Sequence, residues 1–266
     1  MLTLTLREPP AVPVEAEVVS PDITATLSHA DVCALPVFQG KRRRRLDEVF
    51  AVEGDGSDDI VVRGPSGKVK WLGRGMTRGR LRVERNAGMH LGAYMRGGII
   101  EVTGDAGDWV GGEMAGGLIR VRGNAGGQVG AAYRGSSSGM NGGTVLIDGT
   151  AGLEVGMRMK RGLIAVRGPV KDFAGLQMKG GTLVLMGGAE QRTGAWMARG
   201  TIVTLKPVPL MPTFAAACDY APAFLRVYAK ALAGHGFALP ADGVYRRYAG
   251  DLSVPGKGEL LVWQAP

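Results

Sequence analysis

Gly79, Gly98, Gly117, Gly143, Gly162, Gly181 and Gly200 mark one position of a unit that recurs every 19 residues, with a single longer step of 26. The longer step equals one unit plus seven residues, and it is read as a polar insertion near 136–142. Counting that glycine as position 1, position 14 is again glycine, from Gly73 and Gly92 through Gly194, and position 17 is methionine everywhere except Tyr133. Positions 3 and 5 are apolar and mostly β-branched, as in Leu81/Val83, Ile100/Val102, Ile119/Val121 and Ile164/Val166. Alternation of this kind places both residues on one face of a strand.

A strand-like, glycine-punctuated repeat of about 20 residues without helical periodicity has few packed solutions, chiefly a leucine-rich horseshoe or a parallel β-helix. The leucine-rich pattern is absent, so the expectation is an all-β chain, a right-handed single-stranded solenoid of about seven coils. At roughly 4.8 Å per coil it would be about 30–35 Å long. Each coil must turn sharply, and glycine accepts the positive φ that such turns need. The methionine column reads as core filler, since methionine fits irregular gaps.

The repeat leaves two ends. Residues 1–57 hold a strand-like LTLTLR, the basic run Lys41, Arg42, Arg43, Arg44 and Arg45, and an apolar-acidic DEVFAVEG. They are expected to cap the first coil, whose open backbone edge would invite aggregation. Residues 58–205 make the solenoid. In 206–266 the stretch APAFLRVYAKALAGHG predicts a helix with Phe224, Leu225, Tyr228 and Leu232 on one side, followed by a hairpin or two short strands around Pro255-Gly256-Lys257-Gly258.

Position 4 lies between the two inward positions and therefore points outward. It begins as Arg82, Glu101 and Arg120, an alternating ladder of opposite charges, and then becomes Leu146, Ala165, Val184 and Val203. An apolar stripe on the outside of the later coils requires a cover. The C-terminal helix and another subunit are equal candidates, and the four residues are assigned as an interface.

Little else suggests chemistry. His29, His90 and His235 show no metal-ligand spacing, Cys33 and Cys218 belong to no cysteine cluster, and no metal is expected. Asp105, Asp108 and Glu113 are the densest carboxylates, but their offsets put them on separate turns of one coil rather than in an acid/base pair. GRGMTRG lacks the ending of a phosphate loop and reads as a coil turn. The formal charge of +8 favours acidic partners. No aromatic platform accompanies the basic run, which argues against nucleic acid. No long apolar stretch and no leader pattern is present, so the chain reads as cytoplasmic and reduced, and neither a membrane nor a secreted polysaccharide enzyme is expected.

The succession GGxIxVxGxAGxxVGxxM, with VPVEAEVVSPD near the start and RRYAGDLSVPGKGELLVW near the end, resembles the C subunit of formylmethanofuran dehydrogenase. The repeat alone is also similar to the C-terminal domain of the glutamate synthase large subunit. The resemblance implies a scaffold with no catalytic residue of its own, in a complex that holds its chemistry on sister subunits: a hydrolase-like subunit, a formyltransferase and a dehydrogenase-B-like subunit. In the bacterial version, which the composition resembles more, a formyl group moves from tetrahydromethanopterin to a methanofuran-like carrier and formate is released. In the archaeal version a molybdenum or tungsten enzyme reduces carbon dioxide onto methanofuran. The chain itself is expected to hold no cofactor, although such carriers have a polyglutamate tail, for which Lys41 to Arg45 is the candidate contact.

Overall fold

In the computed structural model, which describes residues 1–265, every repeat contributes one strand to a single large sheet. Ahead of the repeats lie β1 (Leu2–Leu6), β2 (Val14–Glu15), β3 (Pro36–Gln39), β4 (Arg42–Arg45), β5 (Phe50–Glu53), β6 (Asp59–Arg63) and β7 (Val69–Lys70). The repeats supply β8 (Arg80–Val83), β9 (Arg96–Val102), β10 (Ala115–Val121), β11 (Asn141–Ile147), β12 (Arg161–Val166), β13 (Lys179–Leu185) and β14 (Arg199–Thr204). After them come β15 (Ala215–Tyr220), β16 (Tyr245–Gly250) and β17 (Lys257–Trp263). Helices are few: α1 (Pro21–Thr24), α2 (His29–Ala34), α3 (Leu46–Val49) and α4 (Leu225–Ala233).

From β1 through β6, β8 to β14 and on to β17 the strands pair in parallel, each with its counterpart in the next unit. Position 3 therefore stacks in register, Leu81 on Ile100, Ile119, Val145, Ile164, Leu183 and Ile202, and all seven are fully buried. Buried β-branched side chains on neighbouring strands are what make such ladders stable.

Successive units also touch at two further places. Ala87, Ala106, Ala125, Ala151, Val170 and Ala189 form a row of parallel bridges. At position 14 the amide of Gly92 donates to Leu72 O at 2.9 Å, Gly111 to Leu91 O at 2.8 Å and Gly130 to Val110 O at 2.8 Å, and the pattern continues to Gly194. The methionine column lies inside, with Met76, Met95, Met114, Met159, Met178 and Met197 fully buried.

The hydrogen-bond register corrects one column. Met140, not Tyr133, takes the methionine place: its amide donates to Gly130 O as Met95 does to Gly92 O and Met114 to Gly111 O, and its side chain is fully buried. Ala132 bonds to Met157 O as Glu113 bonds to Ala131 O, so the seven extra residues are 133–139. Counting forward from glycines misplaces them, because an aromatic at 133 and a methionine at 140 fit the column equally well by spacing.

Both ends extend the sheet. β1 adds in parallel to β6 and β5 closes it in the antiparallel sense, while β4, β3, β2 and β7 form a separate four-stranded sheet. At the other end β17 adds to β14, then β16 and β15 follow antiparallel. β15 was not expected from the sequence; five of its six residues are exposed, and an edge strand with no inward face carries no alternation to read.

Candidate functional site

The outward stripe of the later repeats is not a free surface. Leu146, Ala165, Val184 and Val203 are fully buried and pack with Leu225 and Leu232 of α4 and with Phe237, Leu239, Tyr245 and Leu261. Of the two candidate covers, the chain's own C-terminal segment occupies the stripe. Tyr228 on α4 adds a hydrogen bond between its hydroxyl and Thr182 Oγ1 at 3.0 Å. Each of the leucine, valine and phenylalanine side chains in this cluster contributes about 1.5–3 kcal/mol when fully buried.

The charge ladder also differs from its expectation. Arg82, Glu101 and Arg120 are register partners, yet no ion pair joins them among the described residues. Arg120 turns instead to Asp148, with its Nη2 at 3.0 Å from Oδ2, and Arg167 reaches Asp148 Oδ1 at 3.1 Å. The Arg167 guanidinium lies 4.5 Å from the Phe237 ring centroid, so the ion cluster and the apolar cover adjoin.

Lys41 to Arg45 stand at an exposed sheet edge. Arg42 to Arg45 are β4, paired on one side only with β3. Arg44 binds Glu48 at 2.8 Å, and Arg45 grips Asp47 with two bonds of 3.0 and 2.7 Å. The hydrogen bond from Arg45 holds the Asp47 carboxyl below its usual range. Lys41, Arg42 and Arg43 have no ion-pair partner among the described residues. Charged edges of this kind prevent further strand addition, which is a structural reason for the run.

Asp105, Asp108 and Glu113 each accept a backbone amide. Asp105 Oδ1 accepts the Asn124 amide at 2.7 Å, Asp108 Oδ1 the Gly127 amide at 2.7 Å and Glu113 Oε1 the Tyr133 amide at 2.9 Å. Each of these oxygens satisfies a backbone donor that follows in the chain, and Asp108 also lines a pocket with Asp172 and Glu190. No group of three potential metal ligands occurs among the described residues.

One feature was not expected from the sequence. Trp71, His90 and Trp109 share position 12 of successive units and stack on one face, with ring centroids 4.1 and 5.5 Å apart. Tyr133, the first residue of the insertion, lies against Trp109 at 5.8 Å and near Tyr94 at 5.4 Å. Arg74 sits over both Trp71 and Tyr94, at 5.7 and 5.5 Å. The signal is present as aromatic residues 19 apart, but position 12 varies too much in chemistry for a column to stand out. Within this face the Tyr133 hydroxyl lies 3.0 Å from His90 Nδ1.

The family model described as GXGXG motif matches residues 68–212. A chain of the crystal structure of the formyltransferase/hydrolase complex FhcABCD from Methylorubrum extorquens, in complex with methylofuran, superposes with a TM-score of 0.91 at 34% identity, covering 99% of this chain and 100% of that one. The C subunit of the same organism's formyltransferase/hydrolase complex is 36% identical over 91 residues, 34% of each chain. The C subunit of a molybdenum-containing formylmethanofuran dehydrogenase from Methanosarcina barkeri is 42% identical over 82 residues, 29% of this chain and 27% of that one. The aligned segments thus span about a third or less of the curated relatives they match. With the repeat, both ends of the sheet and the family model in agreement, the chain belongs to the GXGXG family and, within it, to the C-subunit group of formylmethanofuran dehydrogenases and formyltransferase/hydrolase complexes.

Proposed function

We propose that this chain is the C-subunit scaffold of a formyltransferase/hydrolase complex, which moves a formyl group from tetrahydromethanopterin to a methanofuran-like carrier and releases formate. The observation that carries this is the superposition over nearly the whole of both chains. In this reading catalysis lies on sister subunits, namely a hydrolase-like subunit, a formyltransferase and a dehydrogenase-B-like subunit, and this chain supplies their platform. Three rows of contact per unit support a right-handed parallel β-helix over 58–205, closed by 1–57 and flanked by 206–266.

Lys41 to Arg45 contact the acidic tail of the carrier, with Arg42 and Arg43 left free for it by the local pairing of Arg44 and Arg45. Reversing Arg42 and Arg43 in the assembled complex should raise the apparent KM for the carrier with little change in kcat. An unchanged KM at low salt removes the contact and leaves the edge-guarding role.

Affinity capture of the tagged chain from its own cells, followed by assay for formyl transfer and formate release, tests the assignment. The expected partners are a metal-dependent hydrolase and a formyltransferase. The matches to archaeal relatives favour a second reading, a molybdenum or tungsten formylmethanofuran dehydrogenase. Recovery of a partner that holds either metal, together with carbon dioxide reduction, would select it, and recovery of the chain alone would sink both.

A further inference from the structure

Of the four tryptophans only Trp196 is exposed, at 53%, and among the described residues no other ring and no cation packs on its indole. A side chain of this kind is on average well buried. Its stem is rigid: the Trp196 amide donates to Asp251 Oδ2 at 2.9 Å, and the other oxygen of Asp251 accepts from Ser253 N at 2.9 Å and Ser253 Oγ at 2.7 Å. Asp251 itself is 3% exposed, so the indole is held in the open by a buried anchor. Leu252, the next residue of that turn, is 56% exposed.

A cleft of about 660 Å³ opens beside Trp196, and two of its walls come from parts of the chain that are made only once. Gly135, Ser136 and Ser137 of the insertion form one, and Val254 of the turn between β16 and β17 forms another. Two cations from successive repeats fasten the insertion there. Arg158 Nη1 donates to Ser136 O at 2.7 Å and Lys179 Nζ to Ser137 O at 2.6 Å. A carbonyl does not cancel a charge, no carboxylate lines the cleft, and neither cation has an ion-pair partner among the described residues. In stacked-repeat proteins an insertion in one unit commonly marks the face used for binding.

We propose that Trp196, the insertion and the turn at 251–256 form the docking surface for a sister subunit, whose matching face has an apolar recess for the indole and carboxylates at the rim of that recess for Arg158 and Lys179. Tryptophan and arginine are the side chains that most often carry the energy of a protein interface, and a preorganised aromatic loses little entropy on docking. A second copy of this chain does not fit. A two-fold contact sets the same patch against itself, and Arg158 and Lys179 of one copy would then meet those of the other with nothing to neutralise them. The proposal rests on the scaffold reading, since it needs a sister subunit; it adds where that subunit sits and what its face must offer.

The test uses the tagged chain co-expressed with its sister subunits, captured as the complex and weighed by native mass spectrometry. Trp196→Ser with Leu252→Ser should lower the recovery of at least one sister subunit about tenfold or more. A control with a similar loss of exposed apolar surface, Val227→Ser with Val244→Ser, should keep the parent recovery. Lys179→Glu should also lower it, and Lys179→Gln, which retains a donor for Ser137 O, should lower it less. Amide exchange of the parent, alone and in the complex, gives a reading that needs no variant: 135–137 and 251–256 should exchange more slowly in the complex. Sister subunits recovered equally by the parent and the Trp196 variant, or unchanged exchange in those two segments, would overturn the surface and leave the scaffold reading standing. Equal recovery by the parent and Lys179→Glu would overturn the carboxylate rim. A parent that captures no sister subunit overturns both the surface and the reading, and a parent whose self-association in light scattering is lost in the Trp196 variant gives the surface to a second copy instead.

Discussion

The hydroxyl of Tyr133 lies 3.0 Å from Nδ1 of His90, which fastens the first residue of the insertion to the aromatic column of an earlier repeat. The insertion is thereby anchored at its root, while Arg134, Gly135 and Ser137 stay exposed. Removing the hydroxyl with Tyr133→Phe should cost about 0.5–1.5 kcal/mol. Removing the ring with Tyr133→Ala should cost about 2–3 kcal/mol, because the partial burial and the contacts with Trp109 and Tyr94 go with it. Urea unfolding of the two variants separates the terms; equal costs would mean that the ring contributes no more than its hydroxyl.

His90 itself should give the fold a pH dependence. Burial, then the nearby Lys70, hold its imidazole below the ordinary 6.5, against an opposing pull from Asp108. The unfolded chain therefore takes up this proton at a higher pH than the folded one. Stability from this group is complete above about 6.5, falls as pH drops through the interval between the unfolded and folded values, and is level again below the folded one. Chemical denaturation of the protein and of His90→Gln across pH 8 to 4 should show that the variant lacks this part of the decline. A variant with the parent's full slope would assign the decline to the carboxylates.

Gly92 and Gly75 separate two reasons for glycine. Both sit at positive φ, +62° and +65°, but a Cβ on Gly92 would meet Ile119 Cδ1 at 2.4 Å, whereas one on Gly75 meets nothing within 4 Å. Gly75→Ala should cost about 1–2 kcal/mol from backbone strain alone. Gly92→Ala should cost about 1–3 kcal/mol more, because the core must give way. Similar losses would show that the stacked units shift freely enough to make room.

Asp148 is the hub of the ion cluster at the edge of the C-terminal cover. Its side chain and that of Arg120 are 11% and 10% exposed, so Asp148→Ala leaves a nearly buried guanidinium without its carboxylate. The expected cost is about 3 kcal/mol. The double variant Arg120→Met, Asp148→Leu should recover much of it, since an apolar pair replaces a desolvated one. Failure of the double variant to recover would place the penalty in Arg167 and Arg122, which also pair with Asp148, and not in Arg120.

What repeats in the chain was legible, and what is made once was not. Positions 3 and 5 could be read inward because every unit votes on them, and Leu81 through Ile202 stack accordingly. Position 12 shows the limit. Trp71, His90, Trp109, Gln128, Glu154, Phe173 and Arg192 all have φ between 57° and 65°, a left-handed geometry that the sequence suggests only at glycines. Such residues carry a strain of about 1–2 kcal/mol each. Amide bonds to the next unit, such as His90 to Asp108 O at 2.8 Å and Trp109 to Gly127 O at 2.9 Å, offset it, and residue type records none of this. The cleft beside Trp196 escaped for a related reason: its walls come from the insertion, from later repeats and from the turn that holds Val254, and only the fold brings them together.

The cover over Leu146, Ala165, Val184 and Val203 was the question that periodicity posed and could not answer, since an apolar helix face does not name what it faces. In the structure Leu225 and Leu232 of α4 press into that stripe and are 0% and 1% exposed. A charge at either place has no partner there, so Leu232→Asp should lift α4 rather than bury a carboxylate. The repeats beneath keep their own ladders and methionine column, none of which involves α4. The expected result is therefore a local release: amide exchange quickens over 225–239 while β9 to β12 stay protected, and an apolar dye binds the uncovered stripe. Loss of protection throughout the sheet would mean instead that the cover and the stacked repeats unfold as one unit, with α4 a part of the core that the repeat cannot supply for itself.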